Sequence, residues 1–356
     1  MLVRPKKLTR RPRQADRFAA SAAVFAERPE TEMDAFSQIL SGVVLKGALF
    51  FNAEFSAPWG FNAPTTQELA PLLAPDAPHL LVYHFLVEGS AIVRLNEALI
   101  ELEPGDVVVL PHGDAHEMCS AQGVARKLSE AMIAKLKTRD LSAMQTGGGG
   151  AVARFVCGFM VCDPLLCRPI LQSLPAAFKV NLRTDRSGQW LESTLLHLVE
   201  EAASENAGSE AVLAKLSEAL FVDTLRRYLA GLPEQEVGWL AAARDPFIGK
   251  SLMLLHSRCP HPWTLAELAK EVGLSRSAFV ERFTRYLSEP PMAYLIRWRL
   301  KLAARALAST SRGVAEIAED VGYESEAAFN RAFKREFGLP PARYRNEHRT
   351  ASGFAA

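Results

Sequence analysis

The sequence has few cysteines, no long apolar run and none of the common catalytic motifs. Its five cysteines are an odd number without a Cys-x-x-Cys pair, so a disulfide scaffold is not indicated and a reducing cytoplasm is expected. No apolar run approaches the ~20 residues of a membrane span. No apolar core follows the basic N-terminus, so a secretory signal is not expected. The lack of a P-loop, a dinucleotide-binding glycine motif and a Ser-His-Asp series disfavours the enzymes that depend on them.

The sequence does have an uneven distribution of charge. Residues 244–349 carry 18 Lys and Arg against 12 Asp and Glu, whereas residues 33–243 carry 15 against 24. A basic block beside an acidic one indicates that the first meets a polyanion, with unevenly charged surfaces as the plain alternative. Residues 1–32, rich in Arg, Pro and Ala, are predicted to be a disordered basic extension, and Met33 is an alternative start.

Short apolar segments separated by turn residues occupy the region 43–119. The predicted strands here and just beyond are Val43–Phe55, Leu80–Val87, Ala91–Leu95, Leu99–Leu102, Val107–Leu110 and Arg154–Val161. Because no helix is indicated between the first five, the pattern favours an antiparallel sandwich or barrel. Gly147–Gly150 is predicted to be a flexible joint.

From Trp190 onward the apolar residues follow a helical period. Helices are predicted over Trp190–Ser204 and Ser209–Ala230. The second helix places most of its apolar side chains on one side, namely Val212, Leu213, Leu216, Leu220 and Leu225. That side could pack on a second copy of the chain, giving a homodimer, or on the strand region, and the sequence leaves both open.

The region 264–287 has the pattern of a helix, a tight turn and a second helix. Thr264 is a suitable N-cap, Gly273 allows the left-handed turn that ends the first helix, and Ser275 caps the next. Phe279 and Phe283 then lie on one inward face. These features predict a helix-turn-helix unit.

The same pattern recurs further along the chain. Gly322 takes the place of the first turn glycine, Ser325 that of the second cap, and Phe333 that of the inward phenylalanine. A long helix predicted within Pro290–Ser309 would hold the two units at a fixed separation. A repeated unit is stronger support for DNA binding than a single copy.

These segments resemble the DNA-binding region of the AraC/XylS family of bacterial regulators. The matching strings are TLAELAKEVGLSRSAFVERF, PMAYLIRWRLKLAARAL and VAEIAEDVGYESEAAFNRAFKREFGLPPARYR. The resemblance covers Ala242–Arg345. It implies that the second helix of each unit enters one of two successive major grooves on one face of the duplex.

The resemblance and helix geometry together give candidate DNA contacts. The family's base-reading positions fall on Ser277, Val280 and Glu281 in the first unit and on Glu326, Asn330 and Arg331 in the second. Arg paired with guanine and Asn with adenine are strong pairings, so Arg331 and Asn330 are the main base-reading candidates. The phosphate-contact candidates are Arg276, Arg282, Lys334 and Arg335, and the cap Ser325 joins the set. For any single Arg the plain alternative is a solvated helix face.

The segment 105–116, GDVVVLPHGDAH, fits G-x5-P-x-G-x2-H and resembles the second motif of the cupin barrel. The strand, the tight turn and the final His116 would direct an imidazole into the barrel mouth. With YHFLVEG around His84, the region resembles the cupin sensor domain found on one branch of the AraC/XylS family.

Two chemical roles for the barrel region remain open in the sequence. His84, His116 and Cys157 would supply three ligands for zinc or another divalent metal, or would hydrogen-bond inside a metal-free ligand pocket. The first cupin motif is degraded, because Leu86 stands where a second His is usual. Redox sensing by Cys157, Cys162 and Cys167 is the other role, against ordinary buried cysteines in a barrel wall.

The sequence therefore predicts a multidomain protein. Its parts are a disordered extension (1–32), an all-β cupin-like sensor domain (33–185), a helical linker and dimerisation segment (186–240) and an all-α DNA-binding domain with two helix-turn-helix units (241–349). The predicted function is a sequence-specific transcription regulator that senses a small molecule or an oxidant. Its expected partners are double-stranded DNA, the effector, a second copy of the chain and RNA polymerase. The alternative is a metal-dependent cupin dioxygenase or isomerase with a helical appendage.

Overall fold

The computed structural model describes residues 36–37, 40, 45–75, 77–121, 128, 130–138, 141–202, 208–233 and 235–348. The predictions for residues 1–32 and for Met33 lie outside this part of the chain. Within it, the strands are β1 (Leu45–Ser56), β2 (Gly60–Ala63), β3 (Leu80–Glu88), β4 (Ala91–Leu95), β5 (Ala98–Leu102), β6 (Asp106–Leu110), β7 (His116–Cys119), β8 (Met144–Gly147), β9 (Val152–Cys162) and β10 (Phe178–Asn181).

Two sheets form the barrel predicted from the sequence. The larger has the strand order β10-β6-β3-β9-β1-β8 and the smaller has the order β2-β7-β4-β5. All pairs are antiparallel apart from β8, which runs parallel to β1. Strand β3 is buried on both faces from Leu80 to Val87, which explains why this stretch is apolar apart from His84. Val82 and Leu86 face the barrel interior, and Tyr83 and Phe85 face the helices outside.

The six predicted strands are all present, with small shifts at their ends. The four strands that the sequence did not indicate, β2, β7, β8 and β10, have only four residues each. Such short segments carry too little alternation to be recognised. Their strand conformation depends on partners distant in sequence, as in the pairing of Phe61 with Met118.

Three helices of the barrel region were not predicted. They are α1 (Thr66–Leu73), α2 (Glu130–Thr138) and α3 (Pro164–Leu171). The prediction of a flexible joint at Gly147–Gly150 is wrong, because this segment is tied to the end of β1. Gly148 N donates to Ser56 O at 2.8 Å and Gly150 N donates to Ala57 O at 2.7 Å.

Helices α4 (Arg186–Ala202) and α5 (Ser209–Gly231) follow the barrel, close to their predicted positions. Helix α5 packs on β1 and β9 through its apolar side, with Leu213 and Leu220 buried there. The Ser217 hydroxyl lies 2.5 Å from the Tyr83 hydroxyl of β3. Of the two alternatives for this apolar side, the structure therefore shows packing on the strands. Val212 is the exception, since it is 47% exposed.

Between Trp239 and His348 the described chain is mainly helical. It consists of α6 (Trp239–Arg244), α7 (Pro246–Ser257), α8 (Leu265–Glu271), α9 (Arg276–Leu287), α10 (Pro291–Ser309), α11 (Val314–Asp320), α12 (Glu326–Phe337) and α13 (Pro341–His348). Helices α8–α9 and α11–α12 are the two predicted helix-turn-helix units, and α10 is the predicted linker helix. No helix in the described ranges is long and apolar enough to cross a membrane.

The predicted caps and turns of the first unit are confirmed. Thr264 forms a capping box with Glu267, and the Ser275 hydroxyl accepts from the backbone N–H of Ala278. Gly273 has φ +75°, the left-handed conformation that glycine favours. Phe279 is fully buried beneath the second helix.

Candidate nucleic-acid interface and barrel cavity

Helix α12 presents a polar face opposite its buried phenylalanines. Its N-terminus is capped by Ser325, whose hydroxyl accepts from the Ala328 N–H at 3.4 Å. Arg331 is exposed and Asn330 is half-buried on the open side, and within the described part of the chain no hydrogen bond or ion pair holds either side chain. Glu326 is exposed on the first turn. The base-reading candidates of this helix are therefore free to contact another molecule.

The open side of α9 carries less hydrogen-bonding capacity. Arg276, Ser277 and Glu281 are exposed, while Val280 is half-buried. The Ser277 hydroxyl lies 3.2 Å from the Ser275 hydroxyl, so part of its capacity is engaged within the helix cap. The predicted DNA contacts of this helix are thus a carboxylate, an apolar side chain suited to a thymine methyl group and a cation suited to phosphate.

The predicted phosphate contact Arg282 has a different partner in the structure. Its guanidinium donates from Nε and Nη2 to Asp245 Oδ2 at 2.9 and 2.6 Å, and it lies over the Phe247 ring. Sequence reasoning missed Asp245, although Asp before Pro246 is a common helix start. The other predicted phosphate contacts are exposed, Arg276 on the first turn of α9 and Lys334 and Arg335 near the end of α12.

Replacement of Asp245 should destabilise the first unit. Its carboxylate is 2% exposed and also accepts from the N–H groups of Phe247 and Ile248 at 3.0 Å, which caps α7. We expect Asp245→Ala to lower the free energy of unfolding by about 2–4 kcal/mol, through the lost cap and the unpaired Arg282. Chemical denaturation of the full chain measures this. Asp245→Asn, which keeps the capping oxygen, should lose less, and an equal loss would contradict the capping role.

The barrel part and the helix-turn-helix part meet at α3 and α10. Leu165 of α3 packs against the core shared by α10, α11 and α12. A cleft of about 770 Å³ at this junction is lined by side chains that include Arg168, Arg297 and Lys301. Burial, followed by the charges of Arg297 and Arg168, lowers the pKa of Lys301 to about 8. Because α3 packs directly on α10, a displacement of α3 would change the packing of the linker helix.

A small cavity of about 30 Å³ lies inside the barrel beneath α2. Most of its wall is apolar, formed by Phe51, Phe61, Ala63, Pro64, Leu69, Val82, Leu128, Met132 and Leu136. The predicted ligands His84, His116 and Cys157 complete the wall. The sequence thus placed three residues from three different strands at one site.

These three side chains form a chain of hydrogen bonds. His84 Nδ1 lies 2.8 Å from Cys157 Sγ, and His84 Nε2 lies 2.8 Å from His116 Nε2. His116 Nδ1 lies 3.0 Å from the backbone carbonyl oxygen of Asp114. Because a carbonyl oxygen only accepts, His116 Nδ1 carries the proton and His116 Nε2 accepts. His84 Nε2 must then donate, and His84 Nδ1 accepts from the Cys157 thiol.

This arrangement does not fit a three-ligand metal site. His84 lies between its two partners and uses one nitrogen for each, so the three donor atoms do not converge on one point. Within the described ranges no group of three or more His, Cys, Asp or Glu side chains is placed to hold a metal ion. The geometry matches the other alternative, histidines that hydrogen-bond inside a ligand pocket.

The three cysteines considered for redox sensing are buried free thiols. Burial raises the pKa of Cys157, and a hydrogen bond to Cys162 with burial raises the pKa of Cys167. Cys157 faces the barrel interior and Cys162 faces the helices on the other side of β9. Since the thiolate is the reactive form, these surroundings favour the plain alternative of cysteines in a barrel wall.

The buried His84 and His116 and the half-buried His256 should make the protein less stable in mild acid. Burial lowers the pKa of His84 and His116, and that of His256 to about 3. An unfolded histidine has a pKa of about 6.5. The stability contribution of each is therefore full above pH 6.5 and is lost as the pH falls below it. For His256 the expected loss is about 1.4 kcal/mol per pH unit between pH 6.5 and its folded pKa.

His256→Gln tests this expectation with one group. It removes one titrating side chain while keeping a hydrogen-bond partner for the Tyr294 hydroxyl, which lies 2.8 Å from His256 Nε2. Between pH 6 and 5 the variant should lose stability less steeply than the parent, by about 1.4 kcal/mol per pH unit. Denaturant titrations at each pH measure the slope, and an unchanged slope would show that His256 is protonated when folded.

Comparison with known proteins agrees with both parts of the structure. A family model described as Cupin matches residues 34–230, and one described as Helix-turn-helix domain matches residues 268–347. An AraC-like transcription regulator of Streptomyces antibioticus is 31% identical over 274 residues, covering 76% of this chain and 88% of that protein.

Two further relatives align over most of their length. The HTH-type transcriptional regulator AlkR of Acinetobacter baylyi is 28% identical over 321 residues, covering 88% of this chain and 100% of the relative. The RCS-specific HTH-type transcriptional activator RclR of Escherichia coli is 26% identical over 321 residues, covering 89% and 99%. Both alignments therefore include the barrel part and the helix-turn-helix part of this chain.

Proposed function

Because this chain belongs to the AraC-like family of DNA-binding transcription regulators with a cupin-type N-terminal domain, we propose that it controls transcription in response to a small molecule bound in the barrel. The barrel cavity, with His84 and His116 on its wall, is the proposed effector site. DNA binding is supported by the two helix-turn-helix units, because the second helix of each unit exposes polar side chains. Arg331 and Asn330 are the proposed base-reading residues.

The contact between α3 and α10 supports coupling between the two halves. Leu165 of α3 packs against the core of the second unit, so a shift of α3 would alter the packing of α10 and α12. A ligand changes DNA affinity only by its difference in affinity for two arrangements of these parts. We therefore expect effector binding and DNA binding to influence each other reciprocally.

Selection of duplexes from a random library by the full chain tests the proposed function. A preferred site with two half-sites in successive major grooves is expected, with affinity that falls steeply as salt rises. Genomic footprinting with and without candidate effectors then identifies the response. Binding without any sequence preference would refute the regulator role.

The division at 1–32, 33–185, 186–240 and 241–349 is the proposed domain organisation, and RNA polymerase and a second copy of the chain are the proposed protein partners in the cytoplasm. Since Leu213 and Leu220 of α5 are covered by the barrel, a dimer would have to use another surface. Trp190, which is 66% exposed on α4, is a site to test by substitution.

The oxidant and enzyme alternatives receive less support. Cys157, Cys162 and Cys167 are buried, which disfavours a thiolate that meets oxidants directly. For the dioxygenase or isomerase alternative, the ligand set does not converge, and the three relatives described above are named as transcription regulators. We therefore assign no catalytic residue.

A further inference from the structure

Among the described residues, the polar side chains on the wall of the barrel cavity are already paired with one another or with the backbone. The imidazoles of His84 and His116 use all four ring nitrogens on Cys157, on each other and on the Asp114 carbonyl. The proton assignment leaves no free N–H donor and no free nitrogen acceptor. The remaining wall is aliphatic and aromatic, and no Asp, Glu, Lys or Arg lines it in the described part of the chain.

A charged or strongly polar ligand would be poorly held by such a wall. Burying a carboxylate or hydroxyl without a partner costs far more than it gains, because the lost hydration is not replaced. An apolar ligand loses no hydrogen bond and gains contact with Phe51, Phe61, Leu69 and Val82. The two hydrogen-bonded histidines then form part of the cavity wall without donating to or accepting from the ligand.

Helix α2 covers one side of the cavity with Met132 and Leu136. Its volume of about 30 Å³ is too small for a molecule of several carbon atoms. These are the two buried residues of α2, and Lys135 Nζ donates to the Ser142 carbonyl oxygen at 2.6 Å. Helix α2 also packs on β1 and α1, so Met132 and Leu136 are the side chains that must move for a larger molecule to enter. Met adapts readily to a new neighbour.

We propose that the effector of this regulator is a small, uncharged and predominantly apolar molecule, admitted to the barrel when Met132 and Leu136 of α2 are displaced. This inference rests on the proposed function for the location of the site and adds the chemical class of the ligand. Displacement of α2 by the ligand would also change the packing of α2 on β1 and α1.

Binding of toluene and of benzoate to the full chain tests the chemical class without DNA. The two probes share a ring and differ in the carboxylate. We expect toluene to raise Tm in a saturable way, and benzoate to bind at least ~100-fold more weakly. Leu136→Ala, which enlarges the cavity, should bind toluene more tightly, whereas Lys137→Ala on the exposed side of α2 should match the parent.

Two outcomes of the binding measurement would overturn the proposal, and one outcome of an effector response would refute the chemical class. One is benzoate binding as strongly as toluene, and the other is no effect of toluene on either the parent or Leu136→Ala. Neither outcome touches the proposed function, which fails only if DNA binding shows no sequence preference or no effector response. A response to a charged effector that is abolished by Leu136→Trp would keep the site and refute the class.

Arg299 of α10 joins the segment before the first helix-turn-helix unit to the turn of the second unit. Its Nε donates to Cys259 O at 2.9 Å and its Nη2 to His261 O at 2.7 Å, both in the segment that precedes the first unit. Its Nη1 donates to Gly322 O at 3.2 Å, in the turn of the second unit. The guanidinium of Arg299 thus hydrogen-bonds to backbone carbonyls before the first unit and in the turn of the second unit.

The fit around this guanidinium is close. Gly322 has φ +85°, and a Cβ atom there would lie 2.7 Å from Arg299 Nη2 and 2.6 Å from the carbonyl oxygen of Pro260. The second turn therefore approaches both the arginine and the segment before the first unit. Lys cannot reproduce three donors in this fixed plane.

The geometry points to Arg299 as a positioning residue that sets the angle between the two recognition helices, and hence the spacing of half-sites that the protein accepts. Arg299 need not touch DNA for this role. Two linked units gain affinity only when both fit their grooves at once, so a looser angle lowers the gain and widens the accepted spacing.

Arg299→Lys in the full chain tests this role on the duplex selected by the parent protein. We expect about tenfold weaker binding to the full site, unchanged binding to a duplex with only one half-site, and a smaller penalty when one base pair is inserted between half-sites. Arg297→Lys on the same helix, where Arg297 pairs with Glu289, is the matched control. Equal weakening on full and half sites, or unchanged spacing preference, would refute the role, and Tm verifies that the variant is folded.

Discussion

Phe333→Ala should lower the free energy of unfolding of the second helix-turn-helix unit by about 3–5 kcal/mol, the usual cost of emptying a buried phenylalanine site. Phe333 is fully buried and has ring contacts with Phe329, Phe337 and Tyr344, with centroids 5.4, 4.6 and 5.3 Å away. The loss removes both transfer free energy and these aromatic contacts. Because α12 is anchored through this ring, sequence-specific DNA binding should be lost with it.

Thermal and denaturant unfolding of the full chain measure the effect. Phe283→Ala, at the matching position of the first unit, should cost a similar amount, since Phe283 is also fully buried. Phe337→Ala is the milder control, because Phe337 is only half-buried. A cost below ~1 kcal/mol at Phe333 would mean that the core of the second unit collapses around the gap.

Arg331→Ala should weaken binding to the preferred duplex by about 1–3 kcal/mol, or roughly 5–150-fold, and relax the preference at one base pair. The guanidinium is exposed on the open side of α12, which leaves it available for the two acceptors of a guanine. Binding titrations on the selected duplex and on duplexes with each base changed measure affinity and preference together.

Lys334→Ala provides the contrasting variant on the same helix. As a phosphate contact, Lys334 should weaken binding equally on all sequences and reduce the dependence of log affinity on log salt by about one. If Arg331→Ala gives this same uniform pattern, then Arg331 contacts phosphate and the base-reading assignment passes to Asn330 alone.

The two units are unequal in the chemistry that they offer to DNA. The second exposes an amide and a guanidinium at base-reading positions, whereas the first offers Ser277, Val280 and Glu281. The structure increases this difference, because Arg282 of the first unit is paired with Asp245 and is not free to contact DNA. We therefore expect most hydrogen-bonded base recognition to lie in the second unit, with shape, methyl and phosphate contacts in the first.

The sequence predicted the helix-turn-helix units well because their signals are local. Caps such as Ser275, turn glycines such as Gly273 and inward phenylalanines lie within a few residues of one another, so neighbouring residues determine the structure. The long strands of the barrel were found for the same reason. Strands β2, β7, β8 and β10 were missed because pairing with distant partners, rather than their own pattern, makes them strands.

In the barrel, the sequence supplied candidate residues but not their arrangement. The motif ending at His116 and the nearby His84 indicated a site, and both lie there with Cys157. Only the register of β3 against β9, which places His84 opposite Cys157, decided that the three form a hydrogen-bonded chain. Metal ligation requires convergence of donor atoms, which depends on strand pairing that sequence spacing does not specify.

By itself the sequence determined that the chain ends in two capped helix-turn-helix units joined by a long helix, and that an acidic strand-rich region precedes them. The tertiary structure decided which polar side chains remain free for a partner. The sequence alone does not distinguish Arg282 and Arg299 from Arg331. Of these three arginines, only Arg331 has no partner among the described contacts. The reason is physical: the charge of an arginine is set by its own chemistry, whereas its availability depends on which carboxylates and carbonyls the fold brings within hydrogen-bond reach.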